Sequence, residues 1–250
     1  MSLALRTQAL CKNFGAFAAN SKVDLQLARG ARHALIGPNG AGKTTLINLL
    51  AGTLTPTSGE VFLGEERVTL LSQHERVRRG LARTFQINTL FPGLSVLESV
   101  VLAICSRKGL TRVWRRTVAQ QREEIAEARN LLDSLLLQGE ANTIVSKLAY
   151  GKQRLVEIAL ALATRPSILL LDEPAAGIPS HASAELFSVI ARLPRDVSIL
   201  LIEHDMDIVF RFADQVTVLA NGSILAEGSP ETIAADPRVR EVYLGEAEHG

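Results

Sequence analysis

Residues 33–52 read HALIGPNGAGKTTLINLLAG: a short apolar run, a glycine-rich turn, and a second apolar stretch at helical spacing, in immediate succession. Gly37, Gly40, Gly42, Lys43 and Thr44 stand in the register GxxxxGK[ST], with a strand pattern before them and a helix pattern after. Glycines let the backbone curl until successive N–H groups face inward, the helix start adds positive potential, and the lysine neutralises phosphate oxygens. Gly37, Pro38, Asn39, Gly40, Ala41, Gly42, Lys43, Thr44 and Thr45 are therefore the expected phosphate-binding residues, with the Thr44 hydroxyl offered to Mg2+.

Working outward, LALRTQAL, KVDLQLA and RHALIG read as strands, Lys43 to about Ala51 as a helix, and GEVFLG as a strand bounded by glycines. This order predicts a small β layer leading into an α/β core. From about Ser95 to Ala163 the pattern changes: Ile125, Ala128, Leu132 and Leu135 follow helical spacing with charges between them, and no strand pattern returns before Ile168. A helical lobe inserted into the core is expected there. Beyond it SILLLDEP, SILLIEHD, MDIVFRFADQ and VTVLANG alternate strand and helix, which favours a largely parallel sheet.

The apolar run from Ile168 ends in Asp172 and Glu173. Such a run suits a strand buried on both faces, and catalytic groups lie beyond the carboxyl ends of such strands. Asp172 is expected to face the Mg2+ of the cradle, and Glu173 to orient and deprotonate the water that attacks the terminal phosphate. His204, also at the end of an apolar strand, reads as a polar contact to that phosphate. Gln86, after ARTF, has no strong local signal. Before the acidic strand, SKLAYGKQRLVEIALALATRP (146–166) places Gly151 and Lys152 at the start of a helix whose buried face carries Leu155, Ile158, Ala159 and Leu162.

Composition sets outer limits. With 250 residues, 47% of them hydrophobic, the chain can build a sizeable core. Its longest apolar runs fall well short of the ~20 residues of a membrane span. The start MSLALRTQALCKNFG lacks the layout of a secretory signal, which points to the cytosol. Cys11 and Cys105 lack metal-ligand spacing. A net charge of +1 argues against general nucleic-acid affinity, yet nine Arg or Lys stand against one acid, Glu98, between Arg76 and Arg116. That run is either a solvated face or a docking surface for something acidic.

Taken in order, these motifs resemble the ATP-binding subunit of ABC transporters, from about Leu5 to Gly228. LAYGK stands where that family carries LSGGQ. The resemblance implies an α/β P-loop NTPase (RecA-like) core with an antiparallel β subdomain and an inserted α-helical subdomain. It implies one ABC domain over 1–250: residues 1–94 and 164–250 form the core with its β subdomain, and 95–163 the helical subdomain. Phe14 in KNFG matches the aromatic that stacks on adenine. Gln86 matches the glutamine linking nucleotide and Mg2+ to the transmembrane partner, and His204 the switch histidine. Ala149, Tyr150, Gly151 and Lys152 would close over the ATP held by a second ATP-binding subunit, a related chain or an identical one, packed head to tail. RTFQINTLFPGLSVLESV, the tyrosine of LAYG, DEPAAG and VREVYLGE look like the branched-chain amino-acid importer group. Transmembrane permease subunits, a solute-binding protein reached through them, and the cytoplasmic face of the membrane follow as implied partners and location. The segment 88–101, with Leu90, Phe91 and Leu94 beside Pro92 and Gly93, suits a groove for a short permease helix.

Two departures stand out. Ala149 and Lys152 replace the motif serine and glutamine, and Pro179 and Ser180 stand where an aspartate or asparagine is usual. Lys152 could reach toward phosphate or point into solvent. A non-transport ABC ATPase linked to nucleic acid or the ribosome is the main rival, but no second ATP domain, coiled-coil insertion or basic arm is present. A regulatory GTPase would need NKxD after the cradle, and a nucleotide kinase an arginine-rich lid that Arg76 to Arg83 poorly supplies.

Overall fold

The computed structural model describes residues 2–84, 91–110 and 121–247. They divide into two compact units. The first comprises residues up to Arg83, Ser167–Glu173 and the chain from Pro194 onward; the second comprises Thr84–Pro166 and Pro174–Leu193. The sequence division assigned 174–193 to the core, whereas its packing groups it with the helices of the second unit.

In the first unit the strand that precedes the glycine turn, β4 (Arg32–Ile36), is buried at every position. That burial is what a parallel strand covered on both faces requires. A six-stranded sheet surrounds it in the order β11 (Ser223–Gly228), β10 (Gln215–Ala220), β4, β9 (Ser198–Ile202), β8 (Ile168–Asp172), β7 (Leu81–Arg83). The pairings from β10 to β7 are all parallel, and β11 closes one edge antiparallel. A second sheet is antiparallel throughout: β1 (Leu3–Phe14), β2 (Phe17–Val23), β3 (Gln26–Ala28), β5 (Ser58–Leu63) and β6 (Glu66–Arg67).

The helix after the turn, α1 (Lys43–Ala51), buries Leu46, Ile47, Leu49 and Leu50 in one cluster with Leu5, Leu10 and Val61 of the antiparallel sheet and Leu35 and Leu200 of the parallel one. Alternation along β4 sends Ala34 and Ile36 to the other face. They join Val216, Val218, Val209 of α7 (Met206–Phe212), Ile233 of α8 (Pro230–Ala235) and Val239 of α9 (Pro237–Ala247). The leucine-rich helix thus fixes the turn between two sheets. Its C-terminal end is held as well. In α2 (Gln73–Arg78), fully buried Arg76 donates to the carbonyls of Leu49, Leu50, Thr69 and Leu71, and burial pushes its pKa down to about 10.

Arg76 also dismantles the basic run noted in the sequence. Arg79 pairs with Glu66, Arg83 with Asp172, Arg107 with Glu127 and Lys108 with Glu124. Positions 112, 115 and 116 lie outside the described residues. Adjacency in sequence concealed that Arg79, Arg83, Arg107 and Lys108 each pair with a different acid, and Arg76 is a structural cap that cannot serve a kinase-like lid.

The second unit is built from α3 (Val96–Arg107), α4 (Arg122–Ser134), α5 (Tyr150–Leu162) and α6 (Ser180–Ala191). Ser95 and Glu98 form a reciprocal capping box that starts α3. Ala128 and Leu132 of α4 are buried, as their spacing predicted. Among the described residues this unit contains no strand, only an isolated bridge between Ser95 and Ile144.

Candidate functional site

The glycine turn leaves β4 at Gly37 and re-enters regular structure at Lys43. Gly37 and Gly42 have φ of 153° and 99°. A Cβ at Gly37 would collide with the Leu219 carbonyl oxygen, and one at Gly42 with that of Ala19. Both positions therefore demand glycine for conformation and for space. The turn is pinned from outside by Gly222 N–H donating to Ala41 O and by buried Asn20, whose amide donates to Gly42 O. Lys43 is folded back into the loop, its Nζ donating to the carbonyls of Gly37 at 2.6 Å and Pro38 at 2.8 Å. The ammonium is thus held inside the cradle it was expected to serve. Thr44 is exposed at the head of α1.

Parallel pairing brings three strand ends to the same level. Leu35, two residues before Gly37, pairs with Ile202, and Ile202 pairs with Asp172. Asp172, Glu173 and His204 consequently lie at the same sheet edge as the glycine turn. Glu173 leaves the strand with φ 45°, an unusual conformation for a residue other than glycine. Its N–H bonds to Ile202 O at 3.0 Å, tying the turn of one strand to the end of the next. His204 is exposed, while its neighbour Glu203 is 1% exposed and accepts from the His204 N–H at 3.3 Å. The apolar run preceding Glu203 gave no hint that a carboxylate would be buried there.

Arg83 and Asn48 were also missed. Arg83 ends β7 and reaches across to Asp172 Oδ2 at 2.8 Å and to Asn48 Oδ1 at 2.6 Å. Asn48 follows Thr44 by four residues and so shares its face of α1. That spacing was the available signal, but the strand that delivers Arg83 is only three residues long. Phe14 is 51% exposed at the tip of the β1–β2 hairpin, opposite Phe17, and Lys12 Nζ lies 5.2 Å from its ring centroid. Gln86 lies outside the described residues.

In the second unit α5 starts at Tyr150 with Ala149 at its cap. Lys152 Nζ bonds the Glu140 carboxylate, which also accepts from Thr143 and is held below the ordinary carboxylate range chiefly by the lysine. The Lys152 side chain is 44% exposed, with its ammonium paired to Glu140. Tyr150 lies against the Gly177 backbone, and its hydroxyl accepts from Arg154, which pairs with buried Glu157. Pro179 caps α6. Phe91 is exposed and Leu94 half-buried; Leu90 lies outside the described residues.

Mg2+ usually takes one or two protein oxygens and completes its shell with phosphate and water. A hydroxyl at Thr44 and a carboxylate at Asp172 on neighbouring elements fit that demand. Among the described residues no cluster of three or more His, Cys, Asp or Glu could hold a metal by itself.

A strand, glycine cradle and helix beside an acidic strand end in a parallel sheet define a P-loop nucleotide-binding protein. The family model described as "ABC transporter" matches residues 20–176, and one described as "Branched-chain amino acid ATP-binding cassette transporter" matches residues 223–249. The chain belongs to the ABC transporter family, as an ATP-binding, ATP-hydrolysing member. It is 39% identical to the high-affinity branched-chain amino acid transport ATP-binding protein BraF of Pseudomonas aeruginosa, over 97% of this chain and 98% of that one. To the LivG protein of the same description from Escherichia coli it is 40% identical over 97% and 98%. Among solved structures it resembles the ADP conformation of an ATP-binding cassette of an ABC transporter, with a TM-score of 0.86 and 31% identity over 98% and 99% of the two chains.

Proposed function

We propose that this chain is the ATP-hydrolysing subunit of an importer for branched-chain amino acids or a related small solute. The observation that carries the solute class is the 40% identity, over nearly the whole chain, to relatives described as branched-chain amino acid transport ATP-binding proteins. The match of residues 223–249 to the branched-chain model supports it from a segment distant in sequence from the glycine turn.

In this reading the loop N–H groups between Gly37 and Thr45 and the start of α1 receive the phosphates, and Lys43 exchanges its two carbonyl partners for phosphate oxygens. Phe14 stacks on adenine. Bound Mg2+, faced by Thr44, Asp172 and Gln86, would supply charge neutralisation on the phosphates. Glu173 holds and deprotonates the attacking water, and His204 contacts the terminal phosphate. A second ATP-binding subunit, related or identical, sets its own Ala149–Lys152 helix start over that phosphate. A solved cassette of 25% identity described as dimeric is compatible with such pairing. Closing and reopening of the pair would drive permease subunits at the cytoplasmic face of the membrane, with a solute-binding protein delivering cargo on the far side. The residues around Phe91 are the proposed permease contact, and cysteine crosslinking from position 91 in an active complex tests that contact.

The test of the whole reading is uptake. Deleting the chain's gene should abolish high-affinity uptake of labelled leucine, isoleucine or valine, and the tagged chain should copurify with membrane permeases. Unchanged uptake of all three, with copurification of permeases paired to a binding protein for another solute, would remove the solute class and leave the transport role.

A further inference from the structure

The Mg2+-facing reading of Asp172 leaves Arg83 unexplained. Its guanidinium is bonded to the very carboxylate that should meet a divalent cation, at 2.8 Å, with side-chain exposures of only 15% and 23%. At such burial solvent screening is incomplete, so the pair carries real electrostatic weight. The second fork of the guanidinium is fixed by Asn48 Oδ1 on α1, at 2.6 Å. The arginine is therefore held in place from two elements, one of them the helix that presents Thr44. An arginine whose only task was to cover a strand end would not need a hydrogen-bonded seat between Asp172 and the helix that carries Thr44.

We propose that Arg83 is a built-in counter-ion for Asp172: it neutralises the carboxylate in the nucleotide-free chain and keeps divalent cations from occupying it until phosphates arrive. The proposal rests on the reading of Asp172 as metal-facing. Two effects oppose one another. Arg83 orients the carboxylate, which would help a cation, and it places a positive charge against it, which repels one. Fixing one short side chain is worth less than a unit charge a few ångströms away in a partly screened site, so repulsion dominates. The arginine then makes cation binding conditional on nucleotide, because added phosphate charge tips the balance that the lone carboxylate cannot.

The experiment uses the full chain and Mn2+ as the probe, followed by electron paramagnetic resonance, first without nucleotide and then with ATP. Without nucleotide, Arg83→Met should bind Mn2+ at least about tenfold more tightly than the unmodified chain, and Asp172→Asn in the same background should erase the gain. Arg83→Lys, which retains the charge, should stay within about threefold of the unmodified chain. In EDTA, Arg83→Met should bind ATP more weakly than the unmodified chain, because the uncompensated Asp172 carboxylate then faces the phosphates with no cation between them. If that variant proves unstable by thermal unfolding, Arg83→Gln carries the same expectation while keeping a donor to Asp172. Unchanged or weaker Mn2+ binding on loss of the charge overturns the counter-ion role, as does a gain that survives Asp172→Asn. If Asp172→Asn alone leaves the Mn2+ dependence of ATP affinity intact, the metal-facing reading of Asp172 fails, and the counter-ion role with it.

Discussion

The sequence contains two glycine–lysine helix starts, Gly42–Lys43 and Gly151–Lys152, and they are built for different work. The first lies in a tightly pinned turn of positive-φ glycines whose lysine points inward to the loop carbonyls. The second lies in an ordinary helix, and its lysine is drawn to Glu140. The difference teaches that the dipeptide says little by itself. What makes a phosphate cradle is the left-handed backbone before the lysine and a side chain turned back onto the loop carbonyls. At α5 only backbone N–H groups and the helix dipole remain to meet an anion.

The largest effects should separate the two starts by what they abolish. Glu173→Gln should keep ATP binding and lower turnover at least about a hundredfold. Gly151→Asp should abolish turnover of the assembled transporter, through the added side chain and charge, while ATP binding to the isolated chain stays normal. Normal turnover in Gly151→Asp would mean that the α5 start is merely a turn.

Stability should divide along the same line. Arg76→Met strips four carbonyls at and near the end of α1 of a buried donor and should cost about 3 kcal/mol by urea unfolding. Arg107→Met, which removes one bond to Ala163 O behind α5 and a pair with Glu127, should cost about 1 kcal/mol. Equal losses would contradict the claim that the cradle helix is the more firmly anchored.

Acid should also act on the first unit. Burial in β4 lowers His33 from 6.5 to about 4, and its Nε2 sits 2.7 Å from Thr217 Oγ1. Below 6.5 the unfolded chain takes up the proton that the folded one refuses. This contribution is complete above 6.5 and drains as pH falls toward about 4. Glu157 of α5 has the opposite sign: burial raises its carboxyl, so its contribution is present at low pH and lost as pH rises. Thermal unfolding between pH 7 and 5 should therefore show a loss of about 2 kcal/mol that His33→Asn flattens. A slope unchanged by that substitution would exclude His33 as its source.

The smallest effects concern the signature departures. Ala149→Ser should alter turnover by less than about tenfold, since one added hydroxyl contact is worth about 1.4 kcal/mol at most. Lys152→Gln, which ends the attraction to Glu140 without touching the helix start, should stay within about threefold.

Much of this was legible in residues 33–52, because a glycine loop between strand and helix admits few alternatives and the leucines of α1 had to be buried. The acidic strand was legible for a similar reason: four apolar residues in a row leave only the end of the strand for Asp172. Arg83, Asn48 and Glu203 were not, because their meaning depends on strand order, β7 beside β8 and β9 beside β4, which no local pattern encodes. Arg76 was misleading. In sequence it heads a basic run, while in the fold it is the buried cap of a helix some twenty-five residues upstream. Lys152 was undecidable because its partner, Glu140, lies in a short turn twelve residues away.

The contrast between the two lysines is tested most directly by equilibrium ATP binding to the purified chain, measured by calorimetry for Lys43→Ala and Lys152→Ala side by side. Lys43→Ala should lose at least about a hundredfold in affinity with the fold intact, and Lys152→Ala should change it by less than about twofold. Near-normal affinity in Lys43→Ala, or an equal loss in both variants, would contradict the account.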